Sequence, residues 1–61
     1  MAATQADYNI GTAALEVYEQ QTIKDLNIPA VLLPSQDRLN TYAAAAAKIV
    51  IDALDAQGRF K

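Results

Sequence analysis

The chain has no cysteine, no histidine and no tryptophan, and only one phenylalanine, two glycines and two prolines. Each absence removes a class of explanation. Without Cys there is no disulfide to staple a small fold and no thiol nucleophile. Without Cys and His together, a structural zinc site and the commonest general base are also missing. With Gly11 and Gly58 as the only glycines, no glycine-rich loop can cradle a phosphate. Long apolar runs are lacking too: Lys48 and Asp52 interrupt the best window, which falls short of the ~20 residues a membrane-spanning helix needs. Five Lys and Arg against seven Asp and Glu give a net charge of −2, so no basic face is expected for nucleic acid. A membrane-surface helix is disfavoured by the same acidic balance. The N-terminal MAATQAD has neither a basic region nor an apolar core segment, so no secretory signal is read there. The cytoplasm, or a place within a particle, is the expected location.

What is present is helix. From Pro34 to Gly58 the sequence carries a start, a stop and a continuous helical pattern. Ser35 is an N-cap whose hydroxyl can accept from the backbone N–H of Asp37 or Arg38. Asp37 then meets the positive end of the helix dipole, and Gly58 can adopt the left-handed conformation that closes a helix. Five consecutive alanines, Ala43–Ala47, supply the strongest intrinsic helix preference. One stripe of this helix carries Leu39, Tyr42, Ala46, Ile49, Ala53 and Ala56, at alternating steps of three and four. A second carries Ala44, Ala47, Ile51 and Leu54, and Ala43 and Val50 lie between the two. Only a narrow band around Asp37, Thr41, Lys48, Asp52 and Asp55 is polar. A helix apolar over most of its circumference is usually enclosed by protein.

An earlier, one-faced helix is predicted over 12–27, with Thr12 as its cap. Gly11 is expected to weaken any helix running through it, which leaves 1–11 as a loose arm. Leu15, Tyr18, Thr22 and Leu26 form its expected contact face, and Pro29 ends it. The connection 28–34 holds no charge and is bracketed by prolines, and it reads as an extended apolar strap. Residues 35–57 form the second helix and 58–61 a basic tail. The fold class expected is all-α: a single small domain made of a two-helix antiparallel hairpin with an extended apolar linker, completed by oligomerisation or by docking on a larger complex.

Catalytic constellations are thin. Ser35 and Lys48 lie on one helix roughly 20 Å apart, too far for a Ser–Lys pair. Asp52 and Asp55 share a face and could hold a cation, but two carboxylates with no third ligand read more simply as a solvated surface. Lys48–Asp52 and Asp55–Arg59 are ordinary i,i+4 pairs. No enzyme activity and no cofactor or metal are expected. The expectation is a structural or assembly subunit whose partners are protein, either copies of itself or a larger multi-chain assembly. An accessory component of a virus or phage particle fits that description by size and composition alone. The alternative is a small regulatory adaptor that lays its amphipathic helix in a groove of another protein. Val31, Leu32, Leu33, Tyr42, Ile51 and Leu54 are the candidate interface residues.

Overall fold

The computed structural model describes residues 2–60; Met1 of the expected arm and Lys61 of the expected tail lie outside the described residues. Helix α1 spans Gln5–Leu26, a short 3-10 turn spans Ala30–Leu32, and α2 spans Gln36–Ala56. The helices are antiparallel. Tyr8 near the start of α1 bonds Asp52 near the end of α2, and Gln20 Nε2 donates to Gln36 Oε1 (3.3 Å) close to the turn.

The first helix begins well before Thr12, correcting the loose arm expected over 1–11. Thr4 is its N-cap: the Thr4 hydroxyl accepts from the Asp7 backbone N–H, and the Asp7 carboxylate accepts from the Thr4 backbone N–H at 2.8 Å. This reciprocal box satisfies two backbone donors that helix starts otherwise leave open. Thr12 sits inside the helix, its hydroxyl donating to the Tyr8 carbonyl at 2.9 Å.

Gly11 does not break α1, because α1 needs it there. A methyl group built on Gly11 would stand 3.2 Å from Ile51 Cγ1 and 3.5 Å from Ala47 Cβ. Any side chain at this point pushes against α2. The intrinsic penalty of a helical glycine, about 1 kcal/mol relative to alanine, is set against the close approach of Ile51 and Ala47 at this point. The inner seam of the hairpin is therefore built from small groups. Ala43 and Ala47 are 1 % exposed and Ile51 8 %, and among the described residues these three are the buried apolar core.

Both helices close in the same way. After α1, Asn27 takes φ 54°, with its own N–H on Lys24 O and the Ile28 N–H on Ile23 O, both at 3.2 Å. After α2, Gly58 takes φ 73°, with its N–H on Asp55 O (2.9 Å) and the Arg59 N–H on Leu54 O (3.0 Å). Each left-handed residue turns the chain so that two orphan carbonyls are paired. At the start of α2, Ser35 Oγ accepts from the Arg38 N–H at 3.3 Å, the cap expected from the sequence.

The connection is not an extended strap. Pro29, with φ −61°, leads into the 3-10 turn, and the Leu32 and Leu33 N–H groups return to the Pro29 and Ala30 carbonyls. The fixed φ of proline suits the entry to a helical turn as well as it suits extended chain. Val31 and Leu32 consequently point outward, Val31 with 88 % of its surface exposed.

The hairpin measures 43 × 20 × 14 Å with a radius of gyration of 13.4 Å, against roughly 10.5 Å for a compact chain of this length. Its thinnest dimension is little more than one helix diameter of ~10–12 Å. It is a plate one helix thick.

Candidate interaction surface

At about 100° per residue, the seam residues of α2 fix where every other side chain of the helix looks. With Ala43, Ala47 and Ile51 turned to α1, the Leu39–Tyr42–Ala46–Ile49–Ala53–Ala56 stripe faces outward to one side of the plate. Seen from the α1 seam, which runs through Tyr8, Gly11, Leu15, Glu19 and Thr22, Ile10, Ala14 and Tyr18 turn to that same side, while Val17 points almost directly away from α2. Thr12, Glu16, Lys48 and Asp52 turn to the other, where Tyr8, Thr12, Glu16, Ala44 and Lys48 line a shallow open groove. The hairpin therefore has one broad face that is apolar along its middle, with Asp7, Asp25 and Arg38 toward its ends, and one polar broad face.

The polar face is organised by a three-residue cluster. The Tyr8 hydroxyl donates to Asp52, whose carboxylate also accepts from Lys48 Nζ at 3.0 Å. The Lys48 ammonium lies 5.6 Å from the centroid of the Tyr8 ring, within cation–π range. The hydrogen bond from Tyr8 first, and that from Lys48 second, hold the Asp52 carboxyl below its ordinary pKa. The same Tyr8–Asp52 bond pushes the Tyr8 phenol above its ordinary value. Asp52, one of the two carboxylates considered as cation ligands, is thus already committed to a lysine and a phenol. No group of three or more potential metal-ligating side chains converges among the described residues.

On the apolar face the pattern of exposure runs against ordinary practice. Among the described residues, two of the three that are buried are alanines, with Ile51 the third, while Ile10, Val17, Tyr18, Tyr42, Ile49 and Val50 remain half or more exposed, Ile49 at 71 %. The seam also takes charge: the shielded carboxylate oxygens Glu19 Oε1 and Asp55 Oδ1 accept no hydrogen bond. The outer stripe from Leu39 to Ala56 carries no charged residue.

The six sequence-derived candidates separate in space. Ile51 is inside the chain, against Gly11. Leu54 is half-buried at the end of the same seam. Leu33 is half-buried with Tyr18, Ile23 and Leu39 around a small apolar hollow beside the turn. Val31 and Leu32 are exposed on the turn itself, and Tyr42 is half-exposed on the outer stripe. Tyr18 and Leu26, expected on the contact face of α1, are exposed instead, because the close approach at Gly11 turns that face toward Tyr8, Leu15 and Glu19. Sequence reasoning left Ile10 and Val17 unread, and it placed Ile49 and Val50 on the apolar circumference of α2 without naming them as interface residues. The signal for the first two was present in the seven-residue step from Ile10 to Val17 through Ala14.

The chain matches no protein-family model, no curated protein and no solved structure.

Proposed function

We propose that this chain is a non-enzymatic assembly subunit, a half-built helical layer whose apolar face is completed by other protein. The observation that carries the reading is the pattern of burial: only Ala43, Ala47 and Ile51 are enclosed among the described residues, while Ile10, Tyr18, Tyr42, Ile49 and Val50 stand half or more exposed on one broad face. A helical domain normally has a second layer over its apolar surface, and this hairpin supplies only one. Area gives the scale of what is missing. The chain exposes 4622 Å², about 750 Å² more than the ~3,870 Å² expected of a compact protein of its mass. That excess is close to the ~800 Å² one partner contributes to a standard interface.

No side-chain arrangement asks for chemistry in addition. The groove on the polar face is open and shallow, and its Lys48 is paired with Asp52. Assembly explains the apolar face, and the Tyr8–Lys48–Asp52 cluster explains how the free ends of the hairpin are held while that face is offered. Sedimentation equilibrium of the purified chain at micromolar concentration tests the reading. A mass above one chain, with helicity rising with concentration, is expected. A well-folded monomer whose circular dichroism is independent of concentration would remove it.

A further inference from the structure

The outer stripe of α2 says more than that something covers it. Its six positions, Leu39, Tyr42, Ala46, Ile49, Ala53 and Ala56, alternate steps of three and four, the spacing of a helix–helix seam. Along it lie three large residues and three alanines. Laid antiparallel against a second copy about a two-fold axis passing between Ala47 and Lys48, the stripe meets itself in reverse. Leu39 then faces Ala56, Tyr42 faces Ala53 and Ala46 faces Ile49, and the two-fold repeats each pair. Every large side chain meets a small one, which is how facing layers interdigitate without voids or clashes. Other pairings lose this. A parallel pair sets Tyr42 on Tyr42 and Ile49 on Ile49, with alanine on alanine in the intervening layers. Sliding the antiparallel pair by one seven-residue repeat sets Leu39 on Ile49, or Ala46 on Ala56.

We infer that the partner on this face is a second copy of the chain, docked through α2 against α2 in the antiparallel register centred between Ala47 and Lys48. The inference rests on the assembly reading and names its occupant. A self-complementary patch is what a closed two-fold interface requires, residue for residue. Charge permits it, because none of the six stripe residues carries a charge at neutral pH to repel its own image. The size is sufficient: the chain exposes 4622 Å², about 750 Å² more than a compact protein of its mass, which is close to the share of one partner in a standard interface. Ile10 and Tyr18 of α1 and Val50 of α2, exposed on the same side, border the seam.

The chain lacks cysteine, so an introduced thiol is unique. In the proposed dimer, position 42 lies beside position 53 of the other copy, whereas the two copies of either position stand roughly 16 Å apart along the axis, beyond the ~7 Å span of a disulfide. Tyr42→Cys and Ala53→Cys are prepared separately, mixed and oxidised. Cross-linked dimer is expected in the mixture and not in either variant alone. Wild-type protein provides a second measurement free of mutation: isotope-filtered NOEs between labelled and unlabelled copies should join the Tyr42 ring to the Ala53 methyl. Cross-linking within a single variant, or NOEs linking Tyr42 to Tyr42, would overturn the antiparallel register. A multimer showing no Tyr42–Ala53 contact by either method would overturn the inference while leaving the assembly reading in place. A monomeric wild-type chain would end both.

Discussion

Helix α2 presents two apolar stripes of opposite fate. The inner one, Ala43–Ala47–Ile51, is sealed by α1; the outer one, with Tyr42 and Ile49, meets solvent. If burial of greasy area alone chose the packing, the stripe with tyrosine and isoleucine would be inside, since each large side chain contributes about 1.5–3 kcal/mol when buried. The hairpin follows closeness of approach instead. Gly11 and two alanines let the backbones meet, and the larger groups are left on the far side. A stripe can thus be selected for intimacy or for area, and this helix carries one of each.

That contrast breaks most sharply with a pair of aspartates. Ala47→Asp places an unpaired carboxylate in the seam, a desolvation of several kcal/mol, so helicity should collapse at every protein concentration. Ile49→Asp adds the same charge two residues on, at a site already largely exposed. It should leave the residual helicity of the dilute chain unchanged and abolish only the part that grows with concentration. Circular dichroism across a dilution series separates the two; equal damage from both would show that the stripes do not differ in kind.

A smaller effect is expected at the contact itself. Gly11→Leu drives a branched side chain into Ile51 and Ala47, an overpacking of about 1–3 kcal/mol that exceeds the ~0.7 kcal/mol a better helix former returns. Chemical denaturation should show net destabilisation; a more stable variant would mean that the helices are free to separate at this point. Ser35→Ala tests the outer end of α2, where the cap touches neither stripe. It should cost about 1 kcal/mol without altering association, so a shift in assembled mass would show that the turn takes part in the interface.

Caps and stripes were legible to very different degrees. Ser35 and Gly58 could be read directly, because a cap is a local matter of one side chain and its nearest backbone groups. The Thr4–Asp7 box is equally local but was not read, and the propensity penalty of Gly11 set the expected start of α1 at Thr12. That penalty is real; what overrides it is the contact of Gly11 with Ala47 and Ile51, distant in sequence. The linker was misread for a related reason: proline marks both extended chain and the first residue of a helical turn, and Pro29 is the second. Both stripes of α2 were visible as periodicity. Which one α1 would cover was not, because the choice depends on a glycine in the other helix.

The smallest expected effect lies on the polar face, where exposed groups hold the ends of the hairpin together. Asp52 has a lowered pKa in the folded chain, so its contribution is present above the ordinary carboxylate pKa and disappears as pH falls through the folded value, below about 4. Tyr8 has a raised pKa, so its contribution is present below the ordinary phenol value and disappears as pH rises through the folded value, above about 10. Tyr8→Phe removes the hydroxyl that both shifts depend on first, while leaving Lys48 on Asp52. Melting temperatures of wild type and variant should therefore differ modestly through the neutral range and converge at both extremes of pH. A constant difference across the whole range would place the role of Tyr8 in packing of its ring against Lys48 and the neighbouring seam, with the hydrogen bond to Asp52 contributing nothing to stability.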